Sequence, residues 1–130
     1  MQPPGKNRPL SASEFSLARW MLENGKPEAG EFLDQLASAT VTSWRCPCGC
    51  GSINFHVEGG PATPTERIHI LGDYFCGPED APSGIFIFAK AGILSGIEIY
   101  GLASYPLTEL PHEESLRDFV SRPAPPAPTK

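Results

Sequence analysis

The sequence predicts an α+β domain: an N-terminal helical hairpin packed on an antiparallel sheet of about five strands, with a short C-terminal helix. Two observations carry this. Apolar residues recur with a helical period up to Ala39 and with a period of two beyond it. The alternating segments are separated by Gly and Pro clusters, the punctuation of short strands. At 130 residues the chain reads as one domain, long enough to bury a core without disulfides or metal. Residues 1–10 and 122–130 are expected to be disordered flanks around a domain at 11–121. Both are rich in Pro and polar residues and have little to bury.

The first helix is expected over 12–24. Ser11 and Glu14 have capping-box spacing, Phe15, Ala18, Met21 and Leu22 form one apolar stripe, and Asn24-Gly25 stops it. Pro27 suits the first turn of a second helix, whose core side is Ala29, Phe32, Leu33, Leu36 and Ala37. Strands are expected over 40–45, 52–58, 67–75, 84–89 and 93–101. Pairing the second with the third sets Phe55 opposite Ile70, Val57 opposite Ile68 and Glu58 opposite Arg67. A slip of one residue would set apolar against polar.

Lys90-Ala91-Gly92 fits a three-residue hairpin loop with Gly92 left-handed. That register puts Ile85, Ile87 and Ala89 on one face with Ile93, Ser95 and Ile97. Phe86 and Phe88 share the other face with Leu94, Gly96 and Glu98. A strand apolar on both sides is normally central and covered twice. A helix over 112–121, with Leu116, Phe119 and Val120 as its apolar face, is the expected second cover.

Composition narrows the function. The formal net charge is −5, and the ten Lys and Arg residues are scattered, which argues against nucleic-acid binding. No apolar run approaches the ~20 residues that span a bilayer, and Met1–Pro9 has no apolar segment of a secretion signal. The cytoplasm is therefore the expected location, where cysteines are thiols or metal ligands. No Ser-His-Asp spacing, phosphate loop, HExxH or GxSxG motif is present, so the preferred reading is not an enzyme.

One cluster carries possible chemistry: Cys46-Pro47-Cys48-Gly49-Cys50-Gly51, with Cys76 further on. In the register above Gly49 faces Cys76, bringing four thiols to one end of the sheet, and four cysteines are a tetrahedral zinc set. Strict alternation opposes this, since it puts Cys76 on the face of Ile68 and Ile70 and Cys48 and Cys50 on the other. The intervening Gly and Pro residues can undo such alternation. A Cys-x-Cys bridge would be strained and reducible, because its Cα atoms lie roughly 6.5–7 Å apart in extended chain, against a ~5.5–6 Å disulfide mode. That suits redox chemistry. The plainest alternative is small apolar thiols in a tight turn. His56 and His69 face each other in this register, away from the cysteines. All three readings remain open.

The segment Cys46–Ile53 and the later run Gly92-Ile93-Leu94-Ser95-Gly96-Ile97-Glu98-Ile99-Tyr100 resemble small uncharacterised bacterial proteins. These carry a Cys-x-Cys-Gly-Cys segment and a C-terminal Gly-x-Leu-x-Gly-[Leu/Ile]-Glu-[Val/Ile]-Tyr strand. The resemblance covers about residues 12–120 and implies a bacterial α+β protein; it brings no activity and no functional residues.

The favoured function is a non-catalytic module that binds a protein partner, which the acidic charge would suit if the partner is basic. Phe86, Phe88, Leu94 and Glu98 are the candidate docking residues. If their face is open, it is an apolar patch with a central carboxylate; if it is covered, Glu98 needs a buried partner. A bacterial immunity-type inhibitor is one concrete version. The alternative is a zinc-binding or thiol-redox protein centred on Cys46, Cys48, Cys50 and Cys76.

Overall fold

The computed structural model describes residues 7–47, 49–57, 67–78, 81–101 and 107–118. Helix α1 (Ala12–Glu23) begins at the expected capping box. The Glu14 N–H donates to Ser11 Oγ at 3.1 Å, and the Glu14 carboxylate accepts the Ser11 N–H at 2.8 Å. Arg8 grips the same carboxylate at two points, Nη1 at 2.8 Å and Nη2 at 2.9 Å. At the far end both amides of Asn24 donate to the Trp20 carbonyl. After Gly25 a 3-10 segment (Pro27–Phe32) runs into α2 (Leu33–Ser38). The buried stripe of α1 is Leu17, Ala18, Met21 and Leu22, while Phe15 is 38% exposed. Leu17 takes the place expected for Phe15, because residues 17, 18, 21 and 22 form a tighter four-residue repeat.

Arg8 and its ion pair give a pH-dependent expectation. The Arg8 hydrogen bonds, together with the capping bonds, hold the Glu14 carboxyl below its usual range against the opposing effect of partial burial. A carboxylate depressed in the folded state contributes stability above its unfolded pKa, and loses it as pH falls through the lower folded value. Glu14→Gln should therefore cost about 1 kcal/mol near neutrality, chiefly through the lost Arg8 ion pair, because Gln can still accept the Ser11 N–H of the capping box. The difference from the parent should shrink below about pH 4, as urea unfolding across pH would measure. An undiminished difference at acid pH would remove the charge from the explanation.

Seven strands form one antiparallel sheet among the described residues: β1 (Arg8–Pro9), β2 (Thr40–Val41), β3 (Ile53–His56), β4 (His69–Cys76), β5 (Ser83–Lys90), β6 (Ile93–Gly101) and β7 (Arg117–Asp118). Their spatial order is β1-β2-β3-β6-β5-β4-β7. With the two N-terminal helices this is the expected α+β class. β1 lies within the flank expected to be disordered, and pairs with β2.

The second-with-third strand hairpin does not form. β3 pairs with β2 and β6, and β4 pairs with β5 and β7, so β6 and β5 lie between them. Phe55 stands opposite Val41, and Ile70 opposite Phe88. Alternation fixes which face a side chain takes but is indifferent to which neighbour shares that face. Glu58, one member of the third expected pair, lies outside the described residues.

The β5–β6 hairpin is present with a different turn. Lys90 faces Ile93 across a two-residue loop in which Ala91 (φ 53°) and Gly92 (φ 79°) are both left-handed. This is the conformation that matches strand twist in two-residue hairpins. One register shift follows: Ala89 faces Leu94 while Phe88 faces Gly96, leaving Ser95 as the extra residue. The bulge turns Leu94 inward, where it is 0% exposed. Leu94 therefore does not share the face of Phe86 and Phe88. Gln35 of α2 holds the bulge, its Nε2 donating to the Gly92 carbonyl at 3.0 Å and its Oε1 accepting the Leu94 N–H at 2.7 Å.

The helix expected over 112–121 is replaced by one 3-10 turn (Glu113–Ser115) and then β7, which pairs with β4 at Tyr74 and Phe75. Residues 119–121 lie outside the described residues. His112 provides no side-chain cap, whereas the edge of β4 offers backbone partners, so strand pairing wins. The turn packs against α1, where the Ser16 hydroxyl donates to Glu113, and Leu116 joins the core. It does not cover the other side of the sheet.

The core lies between the helices and one sheet face. Leu17, Met21, Leu22 and Leu36 meet Leu71, Tyr74, Ile85, Ile87, Leu94 and Ile97. The buried Tyr74 hydroxyl donates to the Met21 carbonyl at 2.8 Å. No described buried side-chain nitrogen or oxygen lacks a partner. No helix among the described residues is long and apolar enough to cross a membrane.

Candidate functional site

Two surfaces carry the residues singled out by the sequence. The first is a groove of about 570 Å³ between the start of α1, the residues after β2 and the segment at 108–110. Cys46 and Cys50 line it, together with Arg8, Glu14, Trp44 and Arg45. The Gly49 N–H donates to the Cys46 carbonyl at 3.0 Å, the bond that closes a turn. Gly49 is left-handed there (φ 88°). Gly51 is needed for another reason: a Cβ would stand 2.8–3.0 Å from the backbone of Glu109, and the Gly51 N–H donates to the Leu107 carbonyl. Both glycines of the motif thus have structural roles.

Cys46 and Cys50 are half-buried thiols. Cys50 Sγ lies 3.0 Å from the Ser52 hydroxyl, which itself accepts the Ile99 N–H at 2.8 Å. Cys48 lies outside the described residues. Cys76 is placed elsewhere: it is on β4, fully buried in the core, opposite Ser83. Burial pushes its thiol up to about 11, with Arg117 opposing weakly. Cys76 therefore sits within the main core cluster and not in the groove lined by Cys46 and Cys50. The hairpin that was to bring it opposite Gly49 is absent, and β5 and β6 separate β4 from β3. No group of three or more metal-ligating side chains occurs among the described residues. The register that was to gather all four cysteines is therefore absent among the described residues.

The second surface is the sheet face opposite the helices. Phe86, Phe88 and Tyr100 sit on it with ring centroids 5.6 Å (Phe86–Phe88) and 5.8 Å (Phe86–Tyr100) apart. Two rings fold down over glycines directly across the strand pair, Tyr100 over Gly84 and Phe88 over Gly96. A Cβ at Gly84 would fall 2.2 Å from the Tyr100 ring, and one at Gly96 3.1 Å from the tip of Phe88. Neighbouring rings thus occupy the space those glycines leave, and Phe88 is only 5% exposed although it lies outside the main core cluster. Phe86 is half-buried and Glu98, directly opposite it, is exposed.

Charges surround these rings. Lys90 Nζ stands 5.9 Å from the centre of Phe88. The Tyr100 hydroxyl donates to Asp73 at 3.3 Å. Burial raises the Asp73 carboxyl above its usual range, and burial with the adjacent carboxylate pushes Tyr100 up to about 12. His56 and Asn54 extend the same face on β3, while His69 points away and meets Glu28 at 2.8 Å. Thus Phe86, Phe88 and Glu98 come together as expected, and Leu94 does not. Tyr100 and Asp73 were missed. Tyr100 alternates with Glu98 and could have been found by extending the strand pattern, whereas nothing in the sequence joins it to Asp73.

No family model matches the chain, and neither a curated protein nor a solved structure shows significant similarity to it.

Proposed function

We propose that the protein is a non-catalytic binding module that docks a protein partner on the face bearing Phe86, Phe88, Tyr100 and Glu98. The observation that carries this is the exposure of Glu98 at the centre of an aromatic cluster. A covered face would have required a buried partner for that carboxylate. Aromatic residues that lose little side-chain entropy on docking are common binding anchors. Asp73 and Glu98, on a chain of net charge −5, favour a partner with a basic contact surface. An immunity-type inhibitor of a basic protein is the most concrete version of the reading.

The test is a comparison among variants in the native host. The parent is expected to retain a basic protein in near-equal amount, with at least tenfold lower recovery for Glu98→Arg and for Phe86→Ala. Arg45→Ala, in the separate groove, should behave as the parent. Equal recovery by Glu98→Arg and the parent would end the proposal. Glu98 is exposed and Phe86 half-buried, so Glu98→Arg should cost under about 1 kcal/mol of stability and Phe86→Ala about 1–2 kcal/mol.

A further inference from the structure

We infer that Cys46 and Cys50 are a dithiol exchange pair, with Cys50 the attacking sulfur and Ser52 its positioning residue. This is independent of the partner-binding face. Three observations support it. Cys46 and Cys50 both line one open groove. The turn bond from the Gly49 N–H to the Cys46 carbonyl folds the chain back between them, and such a turn keeps the Cα atoms of its first and last residues within about 7 Å. Cys50 is the residue after that turn and Cys46 its first, so the backbone brings the two cysteines near each other.

The third observation is the polar chain behind Cys50. Ser52 is 6% exposed, and its oxygen already accepts the Ile99 N–H. Its hydroxyl hydrogen can therefore point to Cys50 Sγ, 3.0 Å away. A thiolate only accepts hydrogen bonds, so this donor favours the ionised form. Arg8 and Arg45 line the same groove with Glu14 and Glu109, so its charges balance and the Ser52 donor carries the stabilisation of the thiolate. Cys76 is the internal contrast: 0% exposed and within the main cluster, it is a core residue.

The reaction class is thiol–disulfide exchange with a small disulfide such as oxidised glutathione. The Cys50 thiolate attacks one glutathione sulfur, the glutathione S–S bond breaks, and one glutathione leaves as a thiolate that takes a proton. Cys46 gives its proton to solvent and attacks Cys50 Sγ. The Cys46–Cys50 bond forms and the second glutathione leaves. The two protein thiols supply two electrons, and one glutathione disulfide becomes two thiols.

The full chain, reduced and then treated with oxidised glutathione, is expected to lose two hydrogen atoms and keep no glutathione. Peptide mapping should locate the bridge at Cys46–Cys50, and dithiothreitol should reverse it. Cys48→Ser should still form it, while Cys46→Ser should stop at a glutathione adduct on Cys50. Residue-resolved alkylation should find Cys50 the fastest thiol. Ser52→Ala should slow it roughly tenfold near neutrality by raising its titration midpoint about one unit, and Ser52→Thr should restore it. A bridge that maps to Cys48, a lasting adduct on the parent, or oxidation that begins only after a chelator is added would each overturn the assignment. Mapping the parent requires no variant, so a poorly folding Ser52→Ala leaves the test intact.

Discussion

Leu94→Ala is expected to lower the free energy of unfolding by about 2–5 kcal/mol, among the largest single-residue losses available in this chain. The side chain is 0% exposed and packs with Ile87, Ala89 and Ile97 in the main core. Deleting it removes buried apolar surface and leaves a cavity between two elements that cannot easily collapse, because Gln35 pins both the turn and the Leu94 N–H. Phe86→Ala, at a half-buried position of the opposite face, should cost far less in stability and more in partner binding. Urea unfolding reads the first effect as a lower midpoint at unchanged slope. A loss under about 1 kcal/mol for Leu94→Ala would mean that the bulge at Ser95 does not turn it inward, and would restore it to the face of Phe86.

That contrast locates the limit of the sequence. The capping box at Ser11 and Glu14, the helical hairpin, and the inward set Ile53, Phe55, Ile85 and Ile87 were legible because each depends on residues close together or on a two-residue period. Leu94 was assigned to the wrong face because strict alternation was carried through a bulge. The bulge depends on Gln35, about sixty residues earlier, answering a backbone N–H that the ladder leaves unpaired. A polar residue on a helix flank announces no such partner. The same limit explains the sheet order. The apolar residues of β3 suit β4 and β6 equally, and only the assembled sheet gives β6 two full neighbours.

The cysteines follow the same division. The motif's turn was readable, since Pro47 and Gly49 are turn residues at the right spacing. What failed was the step that depended on a long-range register, the gathering of Cys76. With β4 placed beyond β6 and β5, Cys76 becomes a buried apolar residue and the groove keeps Cys46 and Cys50. Cys76 is thus separated from the motif, whose turn was the place expected for small apolar thiols. Ser52, which distinguishes Cys50 from it, carried no signal in the sequence because its bond to Ile99 depends on β3 lying beside β6.

The second large effect is expected at Gly25, where the helical hairpin meets the sheet. A Cβ there would lie 2.3 Å from the Leu71 carbonyl oxygen and 2.9 Å from that of Met21. Both are backbone atoms, so no side-chain rotation relieves the clash. The Leu71 carbonyl also accepts the Lys26 N–H at 2.8 Å, at a point where the β4–β5 register shifts between Ile70 and Gly72. Gly25→Ala must push the corner away from β4, stretching that bond and lifting Met21 and Leu22 from the core. A loss of about 3 kcal/mol is expected, or roughly 10 °C in Tm for a domain of this size. Gly30→Ala is the control: nothing lies within 4 Å of its Cβ position, and replacing a helical glycine there should be neutral or stabilising by up to about 1 kcal/mol. Equal melting temperatures for the two variants would show that the corner does not rest on Leu71. A loss confined to Gly25→Ala places the docking of the helices on the sheet at a single backbone contact.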